Sequence, residues 1–233
     1  MYGYLGYGFG PTFILVIIGI AISLWASWYV KHTFNRYDQY DSSRGTTGAD
    51  AARYILDQSG LQNIQINRVS GNLTDNYNPG NKTLNLSDST FASTSVAAIG
   101  VAAHECGHAI QDKNAYVPMR ARAALVPAVN LGSNFSIPLI FVGILLGRNH
   151  TLIMAGIILF SLVVLFQLVT LPVEFNASGR AIKILSSGDL LEKNEVPMVR
   201  KVLGAAALTY VAAALSSALQ LIRLILIFGN NRD

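Results

Sequence analysis

Two histidines and a glutamate lie within five positions of one another, because residues 104–108 read His-Glu-Cys-Gly-His. This is the H-E-x-x-H pattern. On a helix, residues four positions apart share a face, so His104 and His108 can bind one metal ion. Imidazole nitrogen is a common zinc ligand, and Glu105, one position round, can take a proton from a water molecule at an open coordination position. The pattern therefore predicts one Zn²⁺ per chain, bound by both histidines, with Glu105 as the general base.

An alternative interpretation makes these side chains satisfied polar groups in the core of an apolar helix. Burying three ionisable groups so close together without partners costs several kcal/mol, which favours the metal site. Cys106 lies two positions after His104 and is predicted to face away from the metal as a small apolar residue.

The composition is that of a membrane protein. Of the 233 residues, 52% are hydrophobic and only 13% are charged, which is too apolar for an ordinary soluble domain. Residues 11–30, 151–173 and 205–228 form apolar runs long enough to cross about 30 Å of hydrocarbon. Residues 123–147 are also apolar but contain two prolines, and they predict a fourth span. We therefore expect a mainly α-helical polytopic membrane protein with about four transmembrane helices.

The basic residues are concentrated in two segments. Nine of the 17 Lys and Arg residues lie between positions 31 and 122, and five lie between 180 and 201. The positive-inside rule places both segments in the cytoplasm. This distribution explains the net charge of +4 without a nucleic-acid partner. A single cysteine excludes an intrachain disulfide and fits a cytoplasmic working face of a multi-pass cell-membrane protein.

A small folded domain is predicted between the first two spans. Residues 49–59 have helical spacing, short strands are indicated near residues 64–69 and 82–86 with a turn between them, and residues 94–113 form an Ala-rich helix without proline. We expect a small α+β, zincin-like cytoplasmic domain containing a short β hairpin. Five segments are predicted in chain order. Residues 1–30 are an N-terminal segment with the first span, residues 31–122 are this domain, and residues 123–173 are two further spans. Residues 174–204 are a cytoplasmic helix with the third zinc ligand, and residues 205–233 are the last span with its tail.

A third zinc ligand must come from outside the motif, because hydrolytic zinc sites usually have three protein ligands and one open position. His32 lies at the end of the first span, and His150 lies on the predicted opposite side of the membrane. Glu174 directly follows the third span and is predicted to lie on the same side as His104. The alternative makes Glu174 a solvated residue at the membrane boundary.

Three segments occur in order along the chain and carry a resemblance. Residues 78–87 read Asn-Pro-Gly-Asn-Lys-Thr-Leu-Asn-Leu-Ser, residues 102–111 read Ala-Ala-His-Glu-Cys-Gly-His-Ala-Ile-Gln, and residues 171–178 read Leu-Pro-Val-Glu-Phe-Asn-Ala-Ser. Together they resemble the YugP-type neutral zinc metallopeptidases of bacterial membranes, over most of the chain. The resemblance implies a glutamate zincin, more distantly similar to HtpX and the CAAX prenyl proteases, whose third ligand opens a Glu-Phe-x-Ala-Asp motif. Glu174 matches that ligand.

Further site residues follow from this resemblance. Where the relatives carry Asp, this chain has Ser178, so Ser178 or Asn176 is predicted to accept the second N–H of a ligating histidine. Arg180 could stabilise the oxyanion, with a role at the lipid headgroups as the alternative. The resemblance also implies an edge strand to which an extended substrate adds, formed by Lys82, Thr83, Leu84, Asn85 and Leu86.

The predicted function is a membrane-embedded, zinc-dependent endopeptidase that cleaves peptide or membrane-protein substrates. The alternative is a non-catalytic zinc-binding scaffold or adaptor in the bilayer, whose closed site would need Asp112 or Cys106 as a further ligand. A zinc transporter is disfavoured because residues 151–173 contain no ionisable side chain.

Overall fold

The structure is a computed structural model that describes residues 10–187 and 190–229. Most of the predicted N-terminal segment before the first span, and the last residues of the predicted tail, lie outside the described residues. The described residues form the following elements in chain order: α1 (Phe13–Tyr37), α2 (Gly48–Gln58), β1 (Gln65–Val69), β2 (Asn76–Asn78), β3 (Thr83–Ser87), α3 (Asp88–Phe91), α4 (Val96–Lys113), α5 (Val117–Leu145), α6 (His150–Leu185) and α7 (Val196–Phe228).

Helices α1, α5, α6 and α7 are long and apolar enough to cross a membrane. Helix α5 continues through Pro127 and Pro138, so the predicted fourth span is one unbroken helix. Large apolar side chains such as Leu24, Phe141 and Leu226 are exposed along these helices, as expected for surfaces that face lipid. The prediction of a mainly α-helical polytopic protein with four spans and a small sheet is confirmed.

The chain folds as two compact units. The first contains residues 1–27, 120–171 and 209–233, and the second contains residues 28–119 and 172–208. The first unit has its own apolar cluster, formed by Ile140, Ile153, Ile157, Leu224 and Phe228. The predicted boundary between residues 173 and 174 falls inside α6, which is continuous there.

The second unit has a three-stranded sheet in the order β1-β3-β2. Strand β3 pairs parallel to β1, with Gln65 opposite Thr83, and antiparallel to β2, with Tyr77 opposite Leu84. The hairpin is therefore made by β2 and β3. Strand β2 lies within the segment expected to be a turn. The sequence did not predict it, because three residues with one buried side chain, Tyr77, are too few to show alternation.

The predicted edge strand at Lys82, Thr83, Leu84, Asn85 and Leu86 is wrong, since β3 is the central strand of the sheet. Its residues pair with β1 along their whole length on one side, and residues 83–85 pair with β2 on the other. Leu84 and Leu86 are fully buried in the core, and Lys82 precedes the strand with a positive φ of 56°. At residues 83–85 the backbone groups that an added strand would need are already used by the sheet.

Helix α4 is the central helix of the second unit. The Ser95 hydroxyl caps its first turn by accepting the Ala98 N–H at 3.1 Å, and it donates to Asp38 Oδ1 at 2.6 Å. Ala102, Ala103 and other small residues of α4 are fully buried in a core shared with α2, β3 and the first turns of α7. The small residues of α4 thus let the neighbouring elements pack closely around it.

Candidate metal centre

Helix α4 presents His104 and His108 one turn apart on the same face. Their ring centroids are 4.8 Å apart, and the rings are nearly perpendicular. Only 12% and 11% of the two side chains is exposed. Both imidazoles are therefore largely withdrawn from solvent and converge on a small region beside the helix.

Glu174 reaches the same region from α6. Its Oε2 lies 3.2 Å from His104 Nε2 and 3.4 Å from His108 Nε2, and the side chain is 3% exposed. One ligand atom from each of the three residues lies within 4.8 Å of the others. Within the described part of the chain, this is the group of His, Cys, Asp and Glu side chains arranged to hold a metal ion.

The distances and donor atoms of this group fit zinc. Two ligands bound at about 2.0–2.1 Å to a tetrahedral zinc ion stand about 3.3 Å apart, close to the separations of Glu174 Oε2 from both Nε2 atoms. Two imidazole nitrogens and one carboxylate oxygen are a hydrolytic zinc ligand set, which keeps a position open for water or substrate.

The close crossing of α4 and α6 brings the ligands together. A Cβ atom at Gly107 would lie 2.6 Å from the Ala177 carbonyl oxygen, so only glycine lets the two backbones approach this closely. Gly107 lies between the motif histidines and one step from His108, and Ala177 lies three residues after Glu174. The glycine of the motif thus sets the spacing between the histidines and the glutamate.

The Nδ1 atom of His104 has Ser178 as its partner, with 3.0 Å between Nδ1 and the hydroxyl Oγ. Ser178 is one of the two residues predicted for this contact. The other, Asn176, contacts neither histidine: its Oδ1 accepts hydrogen bonds from Gln111 Nε2 at 3.0 Å and Arg180 Nε at 2.8 Å. The hydrogen bond to Asn176 places the Arg180 side chain beside the residues that contact the histidines.

Gln111 is a site residue that the sequence reasoning missed. It is fully buried, and its Oε1 lies 3.0 Å from His108 Nδ1. Its Nε2 donates to the Val173 carbonyl at 2.7 Å and to Asn176 Oδ1. Since both of these partners are acceptors, the amide nitrogen must face them and Oε1 must face His108. His108 then donates from Nδ1 and keeps the Nε2 lone pair for a metal.

A signal for Gln111 is present in the sequence. Gln111 lies three positions after His108, hence on the same face of α4, and it is a polar residue near the end of an Ala-rich apolar helix. Such a residue, placed one turn beyond a metal-binding histidine, is a candidate partner for that histidine.

Glu105 lies beside the ligands and is mostly buried. Its Oε2 accepts the backbone N–H of Tyr77, on β2, at 2.9 Å. This contact holds one carboxylate oxygen in place. It was missed because a backbone donor has no side-chain signature in the sequence.

Cys106 and Asp112 lie away from the ligand group. The Cys106 thiol is fully buried against the Ala52 carbonyl, with 3.6 Å between Sγ and oxygen, and burial raises the pKa of the thiol far above its usual value. The Asp112 carboxylate accepts a hydrogen bond from the Tyr77 hydroxyl at 2.7 Å and pairs with the Lys82 ammonium.

The groups around His108 raise the pKa of its imidazole. Burial by itself lowers the pKa of His108, but the hydrogen bond to Glu174 and the charges of Glu105 and Glu174 outweigh burial and raise it. The negative charges of the two carboxylates would also favour a bound cation at this site.

Comparisons with known proteins agree with this chemistry. A profile of the family described as "Putative neutral zinc metallopeptidase" matches residues 12–229. The chain is also 47% identical, over 219 residues, to the "Putative membrane protease YugP" of Bacillus subtilis (strain 168). That alignment covers 94% of this chain and 97% of the relative. No solved structure gives a significant match.

Proposed function

The chain belongs to this family of neutral zinc metallopeptidases, and from that premise we propose that it is a membrane-embedded, zinc-dependent endopeptidase with Glu105 as its general base. The observation that carries the proposal is the convergence of His104, His108 and Glu174 from two helices onto one small region. Its spacing and donor atoms suit zinc.

A zinc ion in such a site acts as a Lewis acid and lowers the pKa of a water molecule to about 7. Glu105 accepts one proton from the attacking water while the water oxygen bonds to the peptide carbonyl carbon. The same carboxyl group then gives that proton to the amide nitrogen as the C–N bond breaks. The Tyr77 N–H fixes one oxygen of Glu105, which leaves the other for this transfer.

Ser178 and Gln111 orient the two imidazoles in this mechanism. Each accepts the Nδ1–H of one histidine, which directs both Nε2 lone pairs at the region beside Glu174. Asn176 and Arg180 act one step further out, because Arg180 donates to Asn176, and Asn176 accepts from Gln111. We therefore propose Arg180 as a support for this network.

The arrangement disfavours the non-catalytic zinc scaffold. That alternative needs a fourth protein ligand, from Cys106 or Asp112. The Cys106 thiol is in the core against Ala52, and the Asp112 carboxylate is held by Tyr77 and Lys82. Three ligands with an open fourth position are the arrangement of a hydrolase.

We place the active site on the cytoplasmic side of the cell membrane. The ligand-bearing segments are the two that contain most of the basic residues, and the shorter of them is a basic loop of the kind that remains in the cytoplasm. Peptides or membrane proteins that reach this face are the substrates we propose.

The Glu105→Gln variant tests the mechanism. An amide of the same shape cannot take a proton from water, so turnover should fall by roughly 100-fold or more while zinc content stays unchanged. The measurement is cleavage of dye-labelled casein by zinc-loaded protein in detergent, with metal content determined in parallel. Glu192→Gln, the same change at an exposed position, is the control. Wild-type cleavage rates in zinc-loaded Glu105→Gln would eliminate the role of Glu105.

A further inference from the structure

A cavity whose lining includes none of the candidate zinc ligands lies between the end of α1 and the first turns of α7. Its volume is about 370 Å³. All of its lining residues belong to the second unit: Trp28, Tyr29, His32, Thr33, Arg36, Tyr37 and Lys201. None of them takes part in the proposed peptidase mechanism.

Two cations in this cavity face the same aromatic ring. The Arg36 guanidinium carbon lies 5.6 Å, and the Lys201 ammonium 5.9 Å, from the centre of the Tyr37 ring. Tyr37 is buried, whereas both basic residues are exposed. The His32 ring stacks on Trp28, with 5.2 Å between ring centres. The cavity therefore combines a fixed aromatic floor with cationic walls.

The cations of this cavity lack a negative partner. No carboxylate is among the lining residues, and within residues 10–187 and 190–229 neither Arg36 nor Lys201 forms an ion pair with Asp or Glu. Two positive charges near one ring repel each other, and an anion bound between them would offset that repulsion. The two positive charges of the cavity therefore favour an anionic ligand.

The position of the cavity along α1 narrows the choice of anion. Trp28 lies at the end of the apolar run of residues 11–30 and is 59% exposed, as is typical of tryptophan at the headgroup level of a bilayer. Arg36 lies about two turns further along the same helix, in the polar segment. A ligand that contacts both would combine an apolar part with an anionic group such as a phosphate.

We propose that this cavity binds the phosphodiester headgroup of an anionic membrane lipid. The guanidinium of Arg36 and the ammonium of Lys201 donate to the phosphate oxygens, and Trp28 packs against the glycerol and the first acyl carbons. The site is independent of zinc and of peptide hydrolysis.

Retention of phosphatidylglycerol tests the proposal. Full-length protein is extracted with a mild detergent from vesicles of equal phosphatidylglycerol and phosphatidylcholine, and the lipids bound per chain are counted by native mass spectrometry. Wild type should retain phosphatidylglycerol preferentially. The double variant Arg36→Gln/Lys201→Gln should lose about tenfold or more of that preference, because both phosphate contacts are removed.

The control is Lys31→Gln/Arg200→Gln, which removes the same charge from the same two helices at exposed positions outside the cavity. It should retain phosphatidylglycerol within about twofold of wild type. Equal loss in both double variants would reduce the effect to diffuse surface charge and overturn the proposal, as would no loss in either. Unfolding temperatures in neutral detergent verify that both variants are folded.

Inorganic phosphate distinguishes a lipid from a free anion. If the acyl and glycerol groups contribute at Trp28, inorganic phosphate should not displace the retained phosphatidylglycerol. Displacement of the lipid by phosphate at low millimolar concentration would overturn the lipid assignment.

Discussion

At the residue scale, each histidine of the candidate metal site has a side-chain partner for its Nδ1 atom. The Nδ1 atom of His104 lies 3.0 Å from Ser178 Oγ, and the Nδ1 atom of His108 lies 3.0 Å from Gln111 Oε1. The two partners differ in how firmly they are held. A hydroxyl can rotate, whereas the Gln111 amide is fixed by Val173 and Asn176. We therefore expect Gln111 to be the more important of the two for zinc affinity.

Replacing Gln111 by leucine should weaken zinc binding by about 10- to 100-fold. The variant keeps most of the side-chain volume, but His108 loses its acceptor and its preferred tautomer. Zinc affinity is measured by competition with a chromophoric chelator, and the Co²⁺ spectrum reports the ligand geometry. Gln62→Leu, on the exposed surface, is the matched control. Unchanged affinity in folded Gln111→Leu would refute the positioning role.

At the element scale, the site depends on how closely α4 and α6 approach each other. Gly107 touches the Ala177 backbone, and Gly100, two turns earlier on α4, lies against Val199 of α7. Small residues on one helix thus let two others pack closely around it. The first of these contacts sets the position of Glu174 relative to the histidines.

The Gly107→Ala substitution should separate the ligands. Its Cβ would overlap the Ala177 carbonyl oxygen, so the helices must move apart, at a cost of about 1–3 kcal/mol in the free energy of unfolding. We expect a lower unfolding temperature and less bound zinc. Gly179→Ala in α6 is the control, because a Cβ there meets no atom within 4 Å and alanine favours helix. Equal behaviour of the two variants would show that the close crossing is unimportant.

The sequence predicted some elements of the second unit better than others. The H-E-x-x-H spacing placed both histidines on one helix face, and Glu174 was found because it follows an apolar run. Alternation also indicated a strand at β3, but it could not show which strands would pair with it. Pairing depends on contacts distant in sequence, so the central position of β3 and the short strand β2 were missed.

At the scale of the whole molecule, the proposed orientation in the membrane rests on four apolar helices and two basic segments. The positions of the four long helices in the chain followed from the apolar runs, because a bilayer requires continuous apolar stretches. Hydropathy did not show how far a membrane helix extends beyond its apolar run. The predicted segment boundary after residue 173 falls within α6, so Glu174 lies inside that helix.

Reporter fusions test the proposed orientation. Helix α6 lies between His150 and Lys193, so fusions after these two residues should report opposite sides of the membrane. We expect alkaline phosphatase activity for the fusion after His150 and cytoplasmic fluorescence for a green fluorescent protein fusion after Lys193. The same side for both fusions would overturn the four-span topology.

The most direct test of the central claim is the zinc content of purified wild-type protein beside that of Glu174→Ala. Every step of the proposed chemistry depends on a metal held by His104, His108 and Glu174. We predict about one zinc per wild-type chain and a sharp fall in Glu174→Ala, with Glu192→Ala unchanged. Folded wild-type protein that binds no zinc, or a Glu174→Ala variant that retains all of it, would contradict the three-ligand site.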